Sequence, residues 1–582
     1  MARRSAPAVP VAAPTAGAVD AAGTRSRGVW GRLRLRPAHP GGLVLGVACA
    51  MAAMTPSLLP RDWLYQGLVS GICGAAGYGV GVALAWVLRH VPPWRRLLAR
   101  VRGRVPDQVV PRLWPTLLVT LAPALVLMLV VGARWQRGMT AAIGMPPPST
   151  ADWLRAGPLL VAVAAALVLA ARVVRWAVRR VDRTLEDRLG WPHAVAGVVA
   201  TVVVLAGIVL VDDALLRRAL VATDVAFAAR NDEDHPGVAR PTAPERSGSP
   251  DSAVPWETLG REGRRFVATG PTAAQLRSAT ADGAPTTVPI RVYAGIESAP
   301  TPDERAALAV EELERTGAFE RSVLLVATAT GSGWVNGPAV AALEAVHGGD
   351  TATVATQYSY LPSWLSFLVD RSRAADEAQA LTSAVESRLA ALPVDERPRL
   401  LLYGESLGSY GSESVFTSLA DVRARTDGVL WVGPPHANPL WHALMDRRDP
   451  GTPAAAPVYA GGLLVRFAGD REQIALPPTA WEPPRTLYLQ HVDDPVVWWS
   501  PDLLLSEPDW LQEPAPTDRP TVRWFPLVTF WQLTFDLLNA KSVPDGHGHN
   551  YDALALDGWA AVAPPDGWTD VDTARVRAAL EP

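Results

Sequence analysis

Five apolar stretches in the first 211 residues, at about 41–59, 67–88, 114–133, 156–171 and 194–211, contain no charged residue. Hydrocarbon offers no water to backbone N–H and C=O groups, so stretches of this kind are confined there to helices whose hydrogen bonds close within each segment. Most approach the roughly 20 residues needed to cross the hydrocarbon core, the fourth being the shortest. They are apolar all round, whereas a surface helix of a soluble domain keeps a polar face. The sequence therefore predicts an α-helical polytopic membrane domain of about five helices over 41–215, behind a basic cytoplasmic tail over 1–40.

Arginine fixes the expected orientation. The tail and the second and fourth connections hold twenty arginines, while the alternate connections hold four, Arg61, Arg134, Arg137 and Arg155. Under the positive-inside rule the N-terminus is cytoplasmic, and five spans put everything after Val211 outside the cytoplasmic membrane. The small residues of Gly67–Gly81 allow close helix packing. Net charge is only −3, which gives no reason to expect a nucleic-acid partner. The two cysteines, Cys49 and Cys73, both lie in apolar segments, so the remainder of the chain has no disulfide framework. Residues 231–254 are rich in Asp, Glu, Pro, Ser and Gly and read as a linker or disordered loop.

From residue 255 to 582, short apolar runs alternate with helix-length intervals. Runs such as Ser322–Ala327, Thr353–Tyr358, Arg399–Tyr403, Gly428–Val432 and Arg485–Gln490 suit strands buried on both faces, so the expected architecture is a mostly parallel sheet flanked by helices. Sites in such sheets form at the carboxyl ends of strands. There the sequence places Tyr403-Gly404-Glu405-Ser406-Leu407-Gly408-Ser409, a G-x-S-x-G spacing in which small residues let a strand turn sharply into a helix and present the serine hydroxyl. Asp494, just past a strand end, is the candidate acid, with Asp493 in reserve and Asp470 as a competitor. His549 in Gly546-His547-Gly548-His549 is the candidate base, with His547 in reserve. Oxyanion donors are expected from Leu407 N–H and from the Gly331, Ser332 and Gly333 loop. No metal or other cofactor is called for, the alternative being a His-x-His metal site completed by Asp545 or Asp552. Trp498, Trp499, Trp510, Trp524 and Trp531 suit core and interface packing, an apolar groove being the alternative.

These segments, together with Thr55-Pro56-Ser57-Leu58-Leu59-Pro60-Arg61 and Gln357-Tyr358-Ser359-Tyr360-Leu361-Pro362-Ser363-Trp364, resemble the bacterial membrane-anchored α/β-hydrolase family 9 over residues 41–570. The resemblance implies an α/β-hydrolase domain with an esterase-like or lipase-like serine mechanism, tethered to its N-terminal membrane domain. The expected function is hydrolysis of ester or lipid substrates at the outer membrane face, with acyl transfer by the same residues, or a non-catalytic sensor or scaffold, as alternatives. Asn336 stands where the family pattern leads one to expect an acid. Asp494 and His549 are also widely separated for this fold, and a helix-like run at Leu527–Ala540 fills the interval.

Overall fold

The computed structural model describes residues 38–94, 96, 100, 113–281, 284–369, 371–513 and 521–581, with backbone alone at 113, 208–226 and 368. The expected tail therefore lies almost wholly outside the described residues. The apolar first half forms α1 (Pro40–Ala52), α2 (Trp63–His90), α3 (Leu113–Ala142), α4 (Thr150–Leu189) and α5 (His193–Asn231). Among the described residues three helices, within α2, α3 and α4, are long and apolar enough to cross a membrane. The first of the five expected stretches is shorter than read, and the fifth runs on past the residues whose side chains are described. Stretch 41–59 is helical only to Ala52, because Pro56 and Pro60 lack the N–H that a continuing helix needs; its 13 residues rise about 20 Å. In α5 the described apolar run is His193–Gly207.

Close approach explains the glycines of α2. A Cβ at Gly77 would come within 2.6 Å of Cys49 Sγ, and one at Gly81 within 2.5 Å of the Gly41 carbonyl oxygen, both on α1. On another side of the helix a Cβ at Gly71 would meet Val163 of α4 at 2.7 Å. Small residues thus let both neighbours reach the α2 backbone.

The second half carries strands β1 (Ile290–Ala294), β2 (Val323–Thr328), β3 (Thr351–Thr356), β4 (Arg399–Glu405), β5 (Gly428–Val432), β6 (Val465–Ala468) and β7 (Arg485–Leu489). They form one parallel sheet in the order β1-β3-β2-β4-β5-β7-β6. Apart from the first residues of β4 and β7 every strand position is buried, which is why the runs are mainly apolar, with Arg291, Thr351, Thr353, Thr356, Arg466 and Thr486 among the buried polar members. Helices α6 (Pro302–Arg315) and α8 (Ser372–Ala390) pack on one face; α7 (Gly337–Val346) and α11 (Asp552–Val562) pack on the other. Helix α9 (Leu407–Ser414) follows β4, and α10 (Val528–Asn539) is the helix read from Leu527–Ala540.

The segment read as a linker is ordered. Ser247 N–H donates to the Arg291 carbonyl (3.1 Å) and Arg291 N–H to that of Glu245 (3.1 Å), so these residues run along the open edge of β1 and satisfy its backbone groups. Composition alone missed this because a polar segment can supply main-chain hydrogen bonds as well as any other.

Candidate active site

Strand β4 ends at Glu405 and α9 begins at Leu407, so the whole reversal falls on Ser406. Its backbone sits at φ 55°, ψ −127°, a region that residues with a Cβ avoid. Neighbouring glycines make the turn sterically feasible: a Cβ at Gly404 would lie 2.5 Å from the Gly408 carbonyl oxygen, and one at Gly408 would lie 2.3 Å from that of Thr328. Ser406 N–H donates to the Val432 carbonyl at 2.9 Å, which ties the elbow to the end of β5.

The next residue, Gly433, lies against His549. A Cβ there would come within 2.4 Å of the imidazole Cε1, so only glycine admits the ring at this strand end. His549 Nδ1 and Asp494 Oδ2 are 2.7 Å apart and both side chains are buried, at 3% and 0% exposure. Asp494 Oδ2 also accepts from Tyr551 Oη (2.7 Å), and Oδ1 accepts from Val496 N–H (2.8 Å). Carboxylate acceptance through Oδ2 assigns the ring proton to Nδ1 and leaves Nε2 as the basic nitrogen. His549 Nε2 has no hydrogen-bond partner among the described residues. Ser406 thus stands at the end of β4, and the His549–Asp494 pair lies at the ends of β5 and β7, with no hydrogen bond from His549 Nε2 to the Ser406 hydroxyl.

The reserve candidates form their own pair, with His547 Nδ1 and Asp493 Oδ2 3.2 Å apart and Asp493 Oδ1 accepting Gly548 N–H at 3.1 Å. Asp470 caps a short helix by accepting Gln473 N–H and stands apart from the histidines. Asp552 accepts from Asn336 and Asp545 from Gly546 N–H, so each acid considered for a His-x-His metal site has a local partner.

The expected oxyanion donors are corrected in part. Gly331 N–H donates to Tyr358 Oη at 2.6 Å, and Gly333 N–H to the Thr330 carbonyl at 3.2 Å within the tight turn of residues 330–334, so neither glycine N–H is free. Leu407 N–H, at the first position of α9, and Ser332 N–H have no acceptor among the described residues. A first-turn N–H is unpaired by construction and lies at the positive end of the helix.

Beside the elbow, Glu405 and Lys541 were given no role from the sequence, and Asn336 was noted only as standing where an acid was expected. Glu405, buried, accepts from Asn336 Nδ2 (2.7 Å), Tyr403 Oη (3.0 Å) and Lys541 Nζ (3.0 Å). Burial alone would raise its carboxyl, but the Lys541 ammonium, the His549 ring and these hydrogen bonds bring it below the ordinary value. Asn336 Nδ2 also reaches Asp552 Oδ1 (2.8 Å), so its amide bridges two carboxylates. That arrangement accounts for the missing acid, since a third carboxylate would repel both. Lys541, the chain's one lysine, lies 4.1 Å from the Trp334 ring centre, which leaves it facing Glu405.

The tryptophans serve packing. Trp498 is buried and donates to the His491 carbonyl (3.0 Å), Trp499 donates to Thr534, and Trp524 to Leu503. Trp531 packs where α10 meets α2. Trp498 and Trp510 also wall a cavity of about 250 Å3 with Leu59, Ile143 and Asp493. Ser406 does not line it.

Residues 290–576 match the profile of a family described as Alpha/beta-hydrolase family, and residues 54–271 match its companion, Alpha/beta-hydrolase family N-terminus. No curated protein and no solved structure matches the chain.

Proposed function

Because this chain belongs to the alpha/beta-hydrolase family across both halves, we propose that it is a membrane-anchored serine hydrolase acting on carboxylic esters, membrane lipids among them. One observation carries the reading: a serine held at positive φ on a strand-to-helix turn tied to Val432, whose next residue, Gly433, lies against an imidazole bound to a buried carboxylate. In this mechanism Ser406 Oγ attacks the ester carbonyl while His549 Nε2 takes the hydroxyl proton. Asp494 holds the Nδ1–H tautomer and stabilises the imidazolium, and Tyr551 keeps the carboxylate in place. Leu407 N–H, and Ser332 N–H from the facing loop, hold the developing oxyanion. His549 then protonates the leaving alcohol, and a water, deprotonated by the same nitrogen, releases the acid and restores Ser406.

The orientation belongs to the proposal. Leu59 between α1 and α2, Ile143 after α3, and Asn231 at the end of α5 all touch the second half. In sequence that end of the bundle holds Arg61, Arg134, Arg137 and Arg155, with Arg217, Arg218 and Arg230 late in α5, against twenty in the tail and the other connections, so the positive-inside rule puts the hydrolase domain outside the cytoplasm. Labelling intact cells with a membrane-impermeant fluorophosphonate tests both points. The full chain should label and Ser406→Ala should not; labelling retained in the variant would end the assignment, and labelling seen only after lysis would reverse the orientation.

A further inference from the structure

Loops buried inside a protein are rare, because their main-chain donors and acceptors lose water and need partners. The connection between α1 and α2 is such a loop. Ala53, Met54, Pro56, Ser57, Leu59, Pro60 and Arg61 are all buried, under α10 of the hydrolase domain. Helix α10 satisfies the loop backbone with three polar side chains. Asp536 Oδ2 accepts Leu58 N–H (3.1 Å) and Leu59 N–H (3.4 Å). Gln532 Nε2 donates to the Thr55 carbonyl (3.1 Å), and Asn539 Nδ2 to that of Pro60 (2.8 Å). Arg61, wholly buried, donates to the Ala53 and Thr55 carbonyls, and its Nε lies 3.6 Å from Asp536 Oδ1.

The loop in turn meets the histidine loop. Leu59 packs on Ala540 and Val543, the two residues that confine Gly548. A Cβ at Gly548 would stand 2.7 Å from both the Ala540 carbonyl oxygen and Val543 Cγ2, and 3.4 Å from Leu59 Cδ2. That Ala540 carbonyl accepts His549 N–H at 2.9 Å. Each link from the membrane domain to the imidazole is therefore a direct contact: loop to α10, and Leu59 to the backbone that carries His549.

We propose that Leu59 is a positioning residue of the hydrolase site, and that the membrane domain, through the 53–61 loop clamped by Arg61 and Asp536, holds the His549 loop in its working place. This rests on the serine-hydrolase reading above for its catalytic consequence, but not for its structural one. The membrane domain is then part of the active-site scaffold as well as an anchor. A solvent-facing tether would need none of these buried partners.

The test uses the full chain in detergent, with Leu59→Ala, Leu59→Met and, as a control, Val385→Ala, which truncates a fully buried side chain on α8 across the sheet. Two quantities are read: amide hydrogen exchange over residues 545–551, and turnover of a short p-nitrophenyl ester. Leu59→Ala should speed exchange at His549 and lower kcat by roughly tenfold or more with KM little changed, since small misplacements of a reacting group are costly. Leu59→Met should restore both, and Val385→Ala should leave both near wild type despite a lower melting temperature. Unchanged exchange at His549 in Leu59→Ala overturns the proposal whatever the activity. If exchange responds as expected but the wild type turns over no ester and takes no fluorophosphonate, the positioning stands and the hydrolase reading falls. Equal losses of kcat in Leu59→Ala and Val385→Ala would assign the effect to general destabilisation and also overturn it.

Discussion

A serine held at φ 55°, ψ −127° stores strain that a glycine at the same place would not. Comparing Ser406→Gly with Ser406→Ala isolates that strain, because both remove the hydroxyl and only alanine keeps the Cβ. Such backbone conformations cost about 1–3 kcal/mol for a residue with a side chain. Glycine gives back roughly 0.4–1 kcal/mol through its freer unfolded chain, so Ser406→Gly should be more stable than Ser406→Ala by about 1–2 kcal/mol. For a domain of this size that is a difference of about 1.5–3 °C in melting temperature, readable from tryptophan fluorescence of the full chain in detergent. Both variants should lose fluorophosphonate labelling. The Gly404 and Gly408 contacts and the Ser406 N–H bond to Val432 are unaffected by either change, so the comparison is not confounded by lost packing. If the glycine variant melts at or below the alanine variant, the turn is unstrained and the physical basis for reading it as a nucleophile elbow is refuted.

Two further outcomes test the surroundings. Glu413, on α9, is fully buried among Tyr488, Leu440, Trp441 and Asn438; burial, only partly offset by the hydrogen bonds they donate, pushes its carboxyl up to about 7. A raised carboxyl means the folded state binds the proton more tightly, so its contribution is fully present below the unfolded value near 4.5 and is lost as pH rises toward 7, by about 3 kcal/mol. Melting between pH 5 and 8 should therefore fall more steeply in the wild type than in Glu413→Gln, and parallel slopes would refute this. Asn336→Asp should cost about 3 kcal/mol or more, since it replaces two donations to carboxylates with repulsion between three acids; a melting temperature unchanged within about 1 °C would contradict the bridging role.

What the sequence disclosed follows the range of the interactions involved. The elbow was readable because its geometry is set by residues within two positions of Ser406, and small residues at Gly404 and Gly408 are required by contacts under 3 Å. The strands were readable because a parallel sheet buried on both faces admits little but apolar residues. Chain order and their loops singled out Asp494 and His549, 55 positions apart, and their side chains meet at 2.7 Å. The length of α1 was misjudged because hydropathy is blind to where a helix stops, and the prolines at 56 and 60 decide that. Gly331 and Gly333 looked like donors by position, but their two N–H groups are taken by Tyr358 and the Thr330 carbonyl. Tyr551 and Asn336 carry no motif at all; their parts come from carboxylates far along the chain.

The longest-range contacts fix which end of the helical bundle faces the hydrolase domain. From sequence alone, the side on which residues after Val211 emerge depends on an odd number of spans, and α1, with 13 residues, makes that count insecure. Contacts between the halves remove the dependence. Leu58 N–H bonds to Asp536 across 478 positions, and Asn231 accepts from Gln357, so the ends of the bundle near residues 58 and 231 lie on the same side as the hydrolase domain. Arginine counts then apply directly to the end that touches the domain and to the end that does not, with no need to number the helices between. The same contacts bear on any attempt to separate the halves: cutting the chain before residue 255 would leave Asp536 and Gln532 of α10 without Arg61 and the Thr55 carbonyl, and would uncover Ala540 beside the histidine loop. Removing one member of a buried ion pair is strongly destabilising, so the hydrolase domain cut free of the first half should melt well below the full chain.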